Sequence, residues 1–301
     1  MKHLVSVIIP THNRQHDVIR CVKSILLTTN IKYEIIIVDN GSTDGTYKEL
    51  VDHFGSTQRV SIVLSEINLG AGGGRNLGAT SAQGDYLLFI DSDNVIDDKM
   101  IELLSDAMNS SEVGMVGPLM LYGERPDKIW TYFADINPWT SRAFYLGNKE
   151  EAKQSLPTRI VSGHIPNCFM VRRVDFEKVK GFDEYYIVMY EEADLAERIK
   201  KFLGKQIVID TRAITYHHVA FEQSQSDGYS LGIRDATRAY LLARNRIHFV
   251  KNNFKPIQKI FFFLVMNNVV ALFYCFHFVR AKKWGFARSY LKGIIAGIAG
   301  L

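Results

Sequence analysis

Short unbroken apolar runs alternate along the first third of the chain with stretches whose apolar residues recur every three or four positions. Leu4 to Ile9 is the first run, and it ends in the polar turn Pro10-Thr11-His12-Asn13-Arg14. Val18, Cys21, Val22, Ile25 and Leu26 then share one face of a predicted helix. Tyr33 to Val38 reads as a second strand running into Asp39-Asn40-Gly41-Ser42-Thr43-Asp44-Gly45, where Ser42, Thr43 and Asp44 can cap a helix over Thr46 to Phe54. A third run, Val60 to Leu64, leads to Asn68-Leu69-Gly70-Ala71-Gly72-Gly73-Gly74-Arg75-Asn76, and a fourth, Tyr86 to Ile90, leads to Asp91-Ser92-Asp93-Asn94. Continuous apolar strands suit a sheet buried on both faces, and their alternation with helices predicts an α/β fold with a Rossmann-like, doubly wound, mostly parallel sheet.

In such sheets ligands bind outside the carboxyl ends of the strands, where Asp39, Arg75, Asp91 and Asp93 all fall. If the extended geometry persists past Ile90, Asp91 and Asp93 point the same way at roughly 6–7 Å. At an effective dielectric of about 20 their mutual repulsion is on the order of 2–3 kcal/mol, which a divalent cation would reverse. A single Asp-x-Asp or a single glycine run is ordinary turn chemistry, so the weight lies in their convergence on one edge. The glycine run follows the third strand, not the first, which argues against a dinucleotide fingerprint and for backbone lying close to a phosphate-bearing ligand.

The later segments are less regular. A helix is expected from Asp98 to Met108 and a strand from Val113 to Leu121. Trp130, Tyr132, Phe133, Trp139, Phe144 and Tyr145 read as aromatic loops beside a cleft, on which a sugar can stack. The apolar positions Ala193, Leu195, Ala196, Ile199, Phe202 and Leu203 predict a helix whose first turn carries Glu191, Glu192 and Asp194, an acid cluster that the helix dipole alone would favour. Ile207 to Ile209 and Ala213 to Tyr216 read as short strands before His217-His218. From Ile260 to Val279 the chain is almost wholly apolar, flanked by Lys255, Lys259, Arg280, Lys282 and Lys283, and long enough to cross a bilayer. Trp284 to Leu301 mixes Arg288 and Lys292 with isoleucines in the manner of an interfacial helix.

Composition adds bounds. The 301 residues, 47% apolar and 23% charged, suffice for one large α/β domain, and a net charge of +4 is too mild to indicate nucleic acid. Cys21, Cys168 and Cys275 form neither a zinc pattern nor an even disulfide framework, and no signal-peptide pattern precedes the first strand, so the catalytic part is expected in the cytoplasm.

Taken together, Pro10-Thr11-His12-Asn13, Val38 to Gly45, Asn68-Leu69-Gly70 with Arg75-Asn76, and Phe89 to Asp93 resemble the family 2 glycosyltransferases with the GT-A fold. Arg244-Asn245-Arg246 resembles a helix of their rhamnosyltransferase-like, cell-surface polysaccharide members. The resemblance implies an inverting, metal-dependent transfer of a sugar from a nucleotide-sugar donor to a glycan or lipid-linked acceptor. Donor binding is expected of Thr11, Asn13, Arg14, Asp39, Asn68, Gly70, Arg75, Asp91 and Ser92, with Asp39 on the base and Asp91 on the ribose. Asp93 and His217 are expected to hold a divalent cation, Mn²⁺ or Mg²⁺. Glu192 takes the place of the family's general base, where an Asp is usual, with Glu191 its rival and Asp194 a third catalytic acid. The expected domains are a GT-A domain over 1–254 and membrane-associating helices over 255–301, placing the protein at the cytoplasmic face of the cell membrane, with a homo-oligomer allowed. Removing the tail is expected to release a soluble catalytic domain. A sugar-phosphate nucleotidyltransferase is the alternative enzyme, but Pro10 to Asn13 stands where its glycine-rich basic loop belongs. A non-catalytic glycan-binding or scaffold module is the alternative outside enzymes.

Overall fold

The computed structural model describes residues 3–28, 31–152, 155–221, 233 and 235–301. In chain order its elements are β1 (Val5–Thr11), α1 (Gln15–Leu26), β2 (Tyr33–Asn40), α2 (Thr46–Phe54), β3 (Val60–Ser65), α3 (Gly70–Ser81), β4 (Tyr86–Ile90), β5 (Asn94–Ile96), α4 (Met100–Ala107) and β6 (Val113–Tyr122). There follow β7 (Ile129–Thr131), β8 (Phe133–Ile136), β9 (Ala143–Leu146), β10 (Arg159–Val161), β11 (Cys168–Arg172), α5 (Arg173–Lys178), α6 (Glu191–Leu203) and β12 (Gln206–His217). The chain closes with α7 (Ala236–Asn253), α8 (Pro256–Phe261), a π-helical turn Phe262–Met266, α9 (Asn267–Arg280) and α10 (Trp284–Ala299).

The main path of the sheet is β10-β12-β6-β11-β4-β1-β2-β3, with β5 paired to β12 and β7 to β6. The long ladders β1–β2, β2–β3 and β12–β6 are parallel, as is β1–β4. Since β2 and β3 lie on one side of β1 and β4 on the other, the order reverses between β1 and β4, the switch point at which such sheets open a crevice. The doubly wound pattern stops there, because the next strand, β11, is antiparallel to both β4 and β6. β12 is one strand where two were expected. Its register slips between Asp210 and Ile214, and Arg212 closes that bulge with bonds to both carboxylate oxygens of Asp210 at 3.0 and 2.7 Å. The aromatic stretch is not all loop either: β8 and β9 form a separate antiparallel hairpin.

Every residue of β4 and β6 is buried, and Phe89 on β4 packs against Phe169, Phe176 and Phe182 at 5.2–5.5 Å between ring centres. The glycine run forms the first turns of α3. A Cβ on Gly78 would clash with Ile8 and come within 3.0 Å of Val38, so the missing side chains let α3 lie directly on β1 and β2. In the tail, Gly293 and Gly297 of α10 sit against the α7 backbone in the same way, while Tyr274, Phe278 and Tyr290 join α9 to α10.

Candidate active site

The carboxyl ends of β1, β2 and β4 and the start of α3 enclose a cleft of about 310 Å³, lined among others by Thr11, Arg14, Asn68, Gly70, Asp91 and Asp93. Asp39, buried at the end of β2 next to the lining residue Asn40, accepts a bond from the Ser42 amide at 2.9 Å through Oδ1, while its Oδ2 and the Thr11 Oγ1 are buried without partners. Unpaired acceptors of that kind are costly unless a ligand donates to them. Asn13, at φ 52°, ties two loops together: its amide donates to Ser42 Oγ at 2.9 Å and its Oδ1 accepts from the Thr43 amide at 2.7 Å. Asn68 Oδ1 accepts from the Gly70 amide at 2.9 Å and holds the entry to α3. Gly70 has φ 78° against the Ile187 backbone, where a side chain has neither room nor favourable torsion. Ser92 is buried in the turn between the two acids and lines the same cleft.

β4 ends at Ile90, so Asp91 and Asp93 stand in a turn and find different partners. Asp91 accepts from Arg75 Nη2 at 2.6 Å, and the same guanidinium reaches Glu192 Oε1 at 2.9 Å and Glu191 Oε1 at 3.3 Å. Arg75 is only 1% exposed, so it lies one layer beneath the cleft, bracing three carboxylates instead of presenting its charge to a donor. Those carboxylates more than offset the burial that would lower its pKa, and it stays charged. Glu191 is the most deeply set of the three acids on Arg75: burial first, then the neighbouring Glu192 charge, push its carboxyl from about 4.5 up to about 8, and its Oε2 has no partner. Burial also raises Glu192, but Arg75 and the Asn167 amide, at 3.0 Å, hold its Oε1 and leave Oε2 as its untied oxygen. Asp194 takes a different direction. It accepts from Arg198 at 2.7 Å, Asn253 at 3.0 Å and the Tyr186 hydroxyl at 3.3 Å, which fastens α6 to its neighbours and accounts for its burial as an anchor.

Asp93 points across the cleft mouth. β12 pairs with β5 so that His217 faces Asn94, and this sets His217 Nε2 3.5 Å from Asp93 Oδ1. Trp130 stands edge-on to the His217 ring at 4.7 Å. Burial alone would raise the Asp93 carboxyl, but bonding from His217 and the charge of Arg14 outweigh it and bring it down to about 2. An ionised carboxylate oxygen beside an imidazole nitrogen is a donor pair that suits Mn²⁺, and their spacing allows both to reach one ion. Among the described residues no group of three or more His, Cys, Asp or Glu side chains gathers for a metal, so the remaining positions on such an ion would fall to the ligand.

Asn167 escaped the sequence reading. It sits at φ 62° just ahead of β11; its carbonyl accepts from the Asp91 amide at 2.8 Å, its amide donates to Glu192, and its side chain lies 3.3 Å from His217 Nδ1. An Asn tolerates that left-handed torsion, but only the pairing of β11 with β4 shows what it joins.

Known proteins resemble parts of the chain, the family match covering β1 to β11 and the carboxylates Asp39, Asp91 and Asp93. A family model described as glycosyl transferase family 2 matches residues 6–180. The chain is 34% identical over 134 residues to glycosyltransferase GlyG of Streptococcus pneumoniae, covering 44% of each protein. It is 31% identical over 93 residues to the Escherichia coli UDP-Glc:alpha-D-GlcNAc-diphosphoundecaprenol beta-1,3-glucosyltransferase WfgD, covering 31% of this chain and 36% of that one. The matched region thus spans less than half of either relative. The mannosyltransferase PcManGT of Pyrobaculum calidifontis, solved with GDP-Man and Mn²⁺, superposes with a TM-score of 0.61 at 14% identity, covering 99% of this chain and 88% of that one, and shares its fold. Since the matched 6–180 span is more than half of the 301 residues and the fold is that of GT-A enzymes, the chain belongs to glycosyl transferase family 2.

Proposed function

We propose that the protein transfers a sugar from a nucleotide-sugar donor to a glycan or lipid-linked acceptor in the synthesis of surface polysaccharide or glycoconjugate, with inversion at the anomeric carbon. The observation that carries the reading is the meeting of two differently prepared carboxylate sites at one sheet edge: Asp93 beside His217, and Glu192 braced by Arg75 and Asn167. The unpaired Asp39 Oδ2 is suited to accept from a nucleotide base, and Thr11 Oγ1 from a hydroxyl of the donor. Asp93 and His217 would hold a divalent cation, Mn²⁺ or Mg²⁺, which when bound supplies positive charge to the departing diphosphate. Glu192 Oε2 takes the proton of the acceptor hydroxyl as its oxygen attacks from the face opposite the nucleotide, and a single displacement of this kind inverts the centre. Burial and the neighbouring Glu192 charge push the Glu191 carboxyl up, and its side chain is 4% exposed against 15% for Glu192, which favours Glu192 as the base. Asp91 and Arg75 act on the donor through the shape of the cleft floor.

The division proposed is a catalytic domain over 1–254 and a helical tail over 255–301 that rests on α7. The helix over Pro256–Arg280 reaches a mean hydropathy of 1.9 with 22% of its most apolar window buried, and we assign it to the cytoplasmic face of the cell membrane. The WfgD relative is named for a diphosphoundecaprenol-linked acceptor, which supports a lipid-linked acceptor here. A panel of nucleotide sugars assayed with Mn²⁺ for thermal shift and for release of nucleoside diphosphate tests the whole reading. Stabilisation and turnover by one donor support it; no shift and no hydrolysis with any donor would remove it.

A further inference from the structure

Arg14 has a claim on the same carboxylate as a bound cation. Its Nη1 donates to Asp93 Oδ2 at 2.7 Å, while Asp93 Oδ1 accepts from Asn94 Nδ2 at 3.3 Å and faces His217. The two partners differ in freedom. The Asp93 side chain is 14% exposed and set in a turn, whereas the Arg14 side chain is 43% exposed, makes no helix cap, and has its other carboxylate neighbour, Asp17, at 3.7 Å. The backbone under Arg14 is fixed, because Asn13 is bonded to both Ser42 and Thr43, so only the side chain can swing. Arg14 and Asp93 also line one cleft.

A guanidinium on Asp93 Oδ2 and a divalent ion on Oδ1 repel each other across the one carboxylate, so a bound cation weakens the hold of Arg14 on Asp93. A diphosphate changes the balance, because it brings negative oxygens whose spacing suits the guanidinium fork. Resting on the metal reading above, we propose that Arg14 is an exchangeable counter-ion: it is displaced from Asp93 by the cation and turns to the donor's diphosphate, helping to neutralise the leaving group. Removing Arg14 then has opposite effects on two ligands, tightening the cation and weakening the diphosphate.

The test uses the full chain, Mn²⁺ titrated by electron paramagnetic resonance without nucleotide, and inorganic pyrophosphate titrated by calorimetry at fixed Mn²⁺. Arg14→Gln is expected to bind Mn²⁺ roughly 3- to 5-fold more tightly than wild type and pyrophosphate roughly 3- to 5-fold more weakly, the upper scale of a partly exposed ion pair. Arg14→Lys, which keeps the charge, is expected within about twofold of wild type for Mn²⁺. Equal or weaker Mn²⁺ binding by Arg14→Gln overturns the exchange and leaves the metal site standing. Absence of Mn²⁺ binding in both wild type and Arg14→Gln overturns the metal reading and the exchange with it.

Discussion

Glu191 and Glu192 are neighbours in the chain but not in chemistry. Glu192→Gln is expected to lower turnover by about 10²-fold or more with donor affinity near wild type, since a base acts on the acceptor; steady-state kinetics beside donor calorimetry checks it. Glu191→Gln copies the protonated acid and is expected to retain most activity. Its mark is on stability. A carboxyl raised in the folded state to about 8 contributes stability below its ordinary value near 4.5 and loses it as pH rises through about 8, so Glu191→Gln is expected to gain on wild type over that interval in thermal melts at pH 5 and pH 8. Asn167 separates backbone from side chain. Asn167→Gly keeps the left-handed torsion and loses the contact to His217, whereas Asn167→Ala also adds about 1–2 kcal/mol of strain, so the Ala variant is expected to be the less stable of the two in urea and the slower enzyme.

In α3 packing forms a helix where propensity alone would not. A glycine run by itself is ordinary turn chemistry, and glycine is a poor helix former. The helix forms because its packing face must meet β1 and β2 without side chains, and tertiary contact outweighs propensity there. Gly78→Val is therefore expected to cost about 1–3 kcal/mol in chemical denaturation while leaving the fold class unchanged by circular dichroism. The strand-to-loop junctions at β1, β2 and β4 were readable because a buried strand is a continuous apolar run and its carboxyl end is where polar residues resume, and β3, at the sheet edge and part-exposed, was readable from its apolar run alone. β11 was not, since nothing in Cys168 to Arg172 states that it runs antiparallel between two distant strands.

The tail has two faces that behave differently. α10 and the inner side of α9 are buried on α7, and α7 in turn holds the loop before Glu191 and Glu192 through Asn245, whose amide donates to the carbonyls of Tyr186 at 2.6 Å and Val188 at 2.8 Å. Cutting the chain after Phe254 is thus expected to destabilise the catalytic domain, contrary to the simple view of a removable anchor; limited proteolysis of the truncated protein measures this. The outer side of α8 and α9 carries Ile260, Leu264, Leu272 and Phe276, all more than half exposed. Asn267 turns inward to Arg246 at 3.3 Å and Asn268 bonds back to the Leu264 carbonyl at 3.1 Å, so neither interrupts that stripe with an unpaired amide. Leu264→Glu with Leu272→Glu is expected to abolish flotation with anionic vesicles at unchanged melting temperature, and salt is expected to weaken wild-type binding as the flanking lysines, worth about 1 kcal/mol each near such a surface, are screened.

Periodicity and residue type were enough to place the first four strands, the acids at their ends and the change of composition after residue 254, because burial on both faces and the cost of unpaired polar groups act locally on the chain. They could not rank the acids. How differently Glu191 and Glu192 are held depends on how one buried arginine divides its donors among three carboxylates that meet only after folding. The meeting of Asp93 with His217, the bracing role of Asn167 and the hold of Arg14 on Asp93 likewise arise from pairings across the sheet between segments far apart in sequence. Such pairings follow from packing and register, which no local pattern records.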